Sequence, residues 1–129
     1  MARQFTLGKN ERLKSRKSIE QLFSEGKKIN LAPFRIFYTC HLPANEAALL
    51  FGTGVSSKNF KRAVDRNRVK RLIREAYRLQ KLALLGKIKE KKIQVNVFFI
   101  YTGKELPVYQ DVYEKMGAAL HKLEKSIFV

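Results

Sequence analysis

From Lys58 to Arg78 the chain reads Lys-Asn-Phe-Lys-Arg-Ala-Val-Asp-Arg-Asn-Arg-Val-Lys-Arg-Leu-Ile-Arg-Glu-Ala-Tyr-Arg, nine Lys/Arg against two acids. The chemistry such a string offers is phosphate binding. On a 3.6-residue wheel Val69, Leu72, Ile73, Ala76 and Tyr77 gather on one side, and Asn67, Arg71, Arg74 and Arg78 lie opposite, flanked by Arg66 and Lys70. Arg66, Lys70 and Arg74 follow i, i+4 spacing, and Arg62 and Arg68 add to the cationic surface. Like charges at that spacing cost roughly 0.2–0.5 kcal/mol per pair in an isolated helix. Only Asp65 and Glu75 are at hand to relieve them as salt bridges on a solvated face. A polyanionic partner relieves them better.

The other reactive side chains form no catalytic pattern. His41 and His121 are far apart and lack ligand spacing, so no metal site is expected. Cys40 reads as a small buried hydrophobe rather than a nucleophile. No Ser/His/Asp order and no paired carboxylates emerge, so no catalytic residue is expected on this chain. Two aromatics suit a different task. Phe37 sits between Arg35 and Thr39 on a strand, where it either stacks an unpaired base or packs under the first helix, with Tyr38 taking its place if the strand carries a bulge. Phe23 faces the same choice beside core-like Leu22.

The whole chain supports a nucleic-acid reading. Its 129 residues point to one domain spanning 1–129, and 45% hydrophobic content is enough for a core. The formal net charge of +16 is not diffuse. Residues 1–30 carry net +5, residues 58–78 net +7 and residues 81–92 net +4, while the rest is neutral. Such blocks suggest a binding face if the fold unites them. One cysteine excludes an internal disulfide. No apolar run reaches about 18 residues, and the basic N-terminus lacks a secretory signal's apolar stretch. A cytoplasmic protein is expected. A membrane partner is not, because the basic helix needs its apolar stripe for the core.

The elements that must hold these residues read as follows. Residues 15–26 form a short helix stopped by Gly26. Residues 34–42 alternate as a strand, with Phe34, Ile36, Tyr38 and Cys40 on one face and Arg35, Phe37, Thr39 and His41 on the other. A turn at 42–46 leads to a second strand at 47–55, and the two are expected to pair as an antiparallel hairpin. Residues 61–85 read as one helix ending before Gly86, residues 93–101 as a buried central strand, and residues 109–127 as a final helix behind Pro107. The order α-β-β-α-β-α points to an α+β sandwich, a small sheet with helices packed on it.

The basic helix also resembles the signature of the bacterial ribonuclease P protein component. Arg66-Asn67-Arg68, Lys70-Arg71 and Arg74-Glu75 match its core, with Ala63-Val64, Val55-Ser56, Arg12-Leu13-Lys14 and the Leu22-Phe23 helix end in support. The resemblance covers nearly the whole chain. It implies the fold of the second domain of a small-subunit ribosomal protein, with the long helix in a left-handed crossover. It implies an RNA-binding subunit that helps a catalytic RNA remove the 5′ leader from precursor tRNA, an endonucleolytic reaction carried by the RNA and its Mg²⁺. On this resemblance Arg62, Arg66, Asn67, Arg68, Lys70, Arg71 and Arg74 bind the ribonuclease P RNA, and Phe23, Phe37 and Lys58 line the leader cleft. Ile19 stands where the family often has an aromatic, and Lys58 stands alone where it often has a lysine pair. The alternative is a structural RNA binder of ribosomal type with the same fold and charge.

Overall fold

The computed structural model describes residues 12–13, 15–41 and 48–128. In chain order the elements are α1 (Arg16–Glu25), β1 (Lys27–Leu31), β2 (Phe34–His41), β3 (Ala48–Val55), α2 (Ala63–Gln80), α3 (Leu82–Lys91), β4 (Gln94–Tyr101) and α4 (Tyr109–Ile127). This is a mixed α+β fold. The turn expected at 42–46, and Lys14, lie outside the described residues.

The strands form one sheet in the order β1-β2-β4-β3. β4 is antiparallel to β2 and parallel to β3. The expected hairpin between residues 34–42 and 47–55 therefore does not form, because β4 lies between the two strands. IQVNVFFIY is the most apolar run, and a position with a neighbour on each side buries it best. The strand that does form a hairpin with β2 is β1, which the sequence reading passed over. Its two lysines masked the inward alternation of Ile29 and Leu31, and the two-residue Ala32-Pro33 link sets Leu31 opposite Phe34. Because β3 and β4 are parallel neighbours, α2 and α3 form the crossover between them.

Pleating divides the sheet into two faces. One carries Ile36, Tyr38, Phe51, Val95, Val97 and Phe99 into the main core, beneath α2, α3 and α4. Tyr77 of α2 stacks on Phe51 there, with ring centroids 3.8 Å apart and planes 6° from parallel. The other face holds a smaller core of Leu13, Leu22 and Phe37 under α1. Ser15 caps that helix by accepting from the Ser18 backbone N–H at 3.3 Å, and Gly26 closes it by donating to the Leu22 carbonyl at 2.8 Å. Leu22 is almost fully buried, which contributes about 1.5–3 kcal/mol toward docking α1.

The expected single helix over 61–85 is two helices meeting at Lys81. Neither Gly nor Pro marks the break, and Gly86 lies inside α3 rather than ending it. Lys81, counted among the exposed basic block, is buried. α3 ends instead in a paired-bond stop: Ile93 N–H donates to Ile88 and Lys92 N–H to Lys89, each at 3.3 Å. Lys92 occupies the left-handed position of that stop, at φ 56° and ψ 52°. A non-glycine residue there costs roughly 1–2 kcal/mol. Cys40, expected inside, lies exposed near the end of β2. Partial desolvation still pushes its thiol pKa up, against a smaller opposing effect of Lys27.

Candidate nucleic-acid interface

α2 presents its charge much as the wheel requires. Val69, Ile73, Ala76 and Tyr77 are buried, whereas Arg62, Asn67, Arg68, Arg71 and Arg74 are exposed and Lys70 is half-buried. Among the described residues no acidic side chain forms a salt bridge with any of these cations. Two arginines of the string are otherwise engaged. Arg66 uses Nη1 to donate to the carbonyls of Phe60 at 2.7 Å and Lys61 at 2.8 Å, tying down the chain as it enters the helix. Arg78 pairs with Glu75 at 2.5 Å. A hydrogen bond from that guanidinium holds the Glu75 carboxyl below its ordinary pKa, outweighing a small desolvation effect. Arg62, Arg68, Lys70, Arg71 and Arg74, with Asn67, thus form the part of the string without such an engagement, while Arg66 anchors the helix entry.

The aromatics meet on the α1 face of the sheet. Phe23 is 41% exposed, and its ring lies 5.0 Å from Phe37 and 5.1 Å from Phe98, edge-on to the latter. Phe37 is only 8% exposed, inside the small core, with Lys28 Nζ 5.5 Å from its ring centroid. Of the two readings open for Phe37, the structure has the packed one. Arg35 and Thr39 suggested an open polar face, but α1 covers the part of it where Phe37 lies. Tyr38 is buried on the opposite face. Lys58 is exposed in the turn after β3, where its N–H donates to Ser56 Oγ at 3.2 Å.

Sequence reasoning missed Phe98. Within IQVNVFFIY it looked like one more core residue, yet it is half-buried and directed to the α1 face. Its ring lies over β3 where β3 has no side chains. A Cβ on Gly52 would come within 2.6 Å of it and one on Gly54 within 3.1 Å. Neither glycine has a positive φ, so their use here is room, not backbone freedom. The alternation of Leu50, Gly52 and Gly54 on one strand face was the available signal.

An open cleft of about 410 Å³ lies beside this ring, lined by Arg12, Ile19, Gly52, Thr53, Arg74 and Phe98 among others. Thr53 Oγ1 is buried without a hydrogen-bond partner. Arg12 is placed there by a bridge to Phe51 on the β3 edge, secured by Leu13 N–H donating to the Phe51 carbonyl at 2.9 Å. Arg74 therefore belongs both to the cationic row of α2 and to the cleft wall. Two guanidinium groups beside an aromatic floor suit an anionic chain with unstacked bases.

No described helix is long and apolar enough to cross a membrane, and no three His, Cys, Asp or Glu side chains cluster among the described residues. Residues 7–124 match the family model for ribonuclease P. A ribonuclease P protein component from Porphyromonas gingivalis is 37% identical over 123 residues, covering 95% of this chain and 90% of that protein. One from Chlorobium phaeobacteroides is 30% identical, covering 94% and 90%. The ribonuclease P protein of Staphylococcus aureus superposes with a TM-score of 0.66 at 19% identity, covering 91% of this chain and 97% of that one. That of Thermotoga maritima gives 0.62 at 26% identity, covering 87% and 96%. With the Arg-Asn-Arg helix, the element order and these likenesses running along almost its full length, the chain belongs to the ribonuclease P protein family.

Proposed function

We propose that this subunit holds the RNA of ribonuclease P on one surface and the 5′ leader of precursor tRNA on an adjoining one. Arg62, Asn67, Arg68, Lys70, Arg71 and Arg74 meet the phosphates of the folded RNA. Arg12, Arg74, Phe23 and Phe98 receive the single-stranded leader, and exposed Lys58 adds charge from the turn after β3. Phe37 supports the ring of Phe23 from beneath. The observation that carries this reading is Arg74, which joins the cationic helix face to the wall of the aromatic cleft. A leader strand in the cleft then lies against the bound RNA, which positions the cleavage point relative to the catalyst.

The chain's own residues bind and orient. On this reading hydrolysis belongs to the RNA, whose Mg²⁺ supplies water activation and charge stabilisation.

The test is reconstitution with ribonuclease P RNA at low Mg²⁺. The protein should restore production of mature 5′ ends from precursor tRNA, and protein alone should cleave nothing. Arg68→Ala/Lys70→Ala should weaken assembly whatever the leader length. Phe98→Ala should leave assembly intact and reduce the preference for precursor over mature tRNA. Cleavage by RNA-free protein, or equal effects of both variants on assembly, overturns the division of labour.

A further inference from the structure

The basic block at residues 81–92 has no part in either surface. Its cations differ in kind from those of α2. From Arg62 to Arg78 there are six arginines and one lysine, whereas residues 81–92 hold five lysines and no arginine. Arginine forks suit fixed, bidentate phosphate geometry, and lysines act as hydrated point charges. Lys81 is buried, and Lys87 pairs with Glu124 at 2.8 Å. Lys89, Lys91 and Lys92 are all exposed, and none has a salt bridge among the described residues.

Their place in the fold separates them from the start of α2, where Arg66-Asn67-Arg68 lies. Ala48 N–H donates to the Ile93 carbonyl at 3.2 Å, so Lys92 stands at the end of the sheet where β3 begins. α2 follows from the other end of β3. Eight residues of strand, on the order of 25 Å, lie between the two ends. That exceeds the screening length of about 8 Å at physiological salt. The lysines and the Arg66-Asn67-Arg68 end of α2 therefore act as independent charges toward a long polyanion.

A lysine near a helix C-terminus also has a structural use, because it opposes the negative end of the helix dipole. Lys92 argues for more than that. It occupies the left-handed position of the α3 stop, where glycine is less strained, and the bonds that make the stop come from the backbone. The lysine side chain is thus dispensable for the stop itself.

We infer that Lys89, Lys91 and Lys92 form a second RNA-contact surface, which grips the phosphate backbone of ribonuclease P RNA by charge alone at a place distant from the Arg-Asn-Arg helix. This rests on the proposal that such an RNA is the partner. The test is the salt dependence of protein affinity for ribonuclease P RNA. Each phosphate contact contributes about 0.7–0.9 to the log–log slope. Lys89→Ala/Lys91→Ala/Lys92→Gly should reduce that slope by about two to three. It should leave the precursor-over-mature preference of the holoenzyme unchanged. Lys92→Gly alone should lower the slope by about one while its unfolding midpoint stays level or rises, which a purely structural lysine would not do. Lys89→Arg/Lys91→Arg should retain the slope. An unchanged slope in both the triple variant and Lys92→Gly overturns the inference. If Arg68→Ala/Lys70→Ala also leaves RNA affinity unchanged, the fault lies with the proposed function instead.

Discussion

A single methyl group on Gly52 probes the cleft proposed to receive the leader, without removing any group that would touch RNA. In Gly52→Ala the new carbon would sit 2.6 Å from Phe98 Cδ2 and 2.8 Å from Cε2. Carbon atoms pack best at about 3.5–4.0 Å. The ring must swing away by roughly an ångström, and the edge-on contact with Phe23 is disturbed with it. Overpacking of this kind costs typically about 1–3 kcal/mol of stability. A displaced platform also loses base stacking, worth about 1–3 kcal/mol per base. That corresponds to a fall in precursor-over-mature preference of about one to two orders of magnitude. Urea unfolding measures the first effect, and holoenzyme affinities for precursor and mature tRNA measure the second. Both measurements should be repeated on a Phe98→Ala background. There the clash is gone, so Gly52→Ala should have little further effect on either quantity. Equal losses in the two backgrounds would refute the claim that Gly52 acts by seating the Phe98 ring.

Phe37→Ala should destabilise the fold by about 3 kcal/mol, the lower end for buried Phe truncation, because its core cluster is small. A variant that unfolds at the wild-type midpoint would show that Phe37 is not packed as described. Cys40 should alkylate slowly near neutral pH, with a rate–pH midpoint above the usual thiol value of about 8.5, because desolvation disfavours its thiolate. A midpoint below that value would contradict the partial desolvation of the thiol. Glu75→Gln should cause a small loss of stability near neutral pH. Because the folded pKa of Glu75 is lowered, that contribution is full above the unfolded carboxylate pKa and disappears as pH falls through the folded value. Denaturation of both proteins at neutral and acid pH should therefore converge in acid.

The elements most legible in sequence were those with a long single period. The apolar stripe of α4 and its bounds at Tyr109 and Ile127 could be read directly, as could the buried and charged sides of α2. What escaped was decided by competition between distant segments. β2 and β3 are neighbours in sequence, and such strands usually pair. Only the greater burial available to β4 separates them, and no local pattern encodes that comparison. The break at Lys81 carried no Gly or Pro, and β1 was masked by lysines on its exposed positions. At the interface, charge and spacing identified the arginine rows but not their engagements. That Arg66 would turn back to the carbonyls of Phe60 and Lys61 depends on the path of a loop. Phe37, left open between stacking and packing, is packed because α1 covers it, while Phe98, read as one more core residue, lies at the cleft edge.

The position of β4 has a consequence for biosynthesis. It joins the two halves of the sheet, yet it is the last strand to be made. Between the end of β3 at Val55 and the end of β4 at Tyr101 the ribosome adds 46 residues, roughly 2–9 s at about 5–20 residues per second. During that interval β2 and β3 have no shared partner, and core residues such as Ile36 and Phe51 lack the neighbours that will bury them. The cationic segment of α2 and α3 emerges in the same interval. The nascent chain thus displays its cationic charge before it possesses the cleft beside Phe98. The single-strand site proposed here is complete only when β4 and its Phe98 reach the sheet.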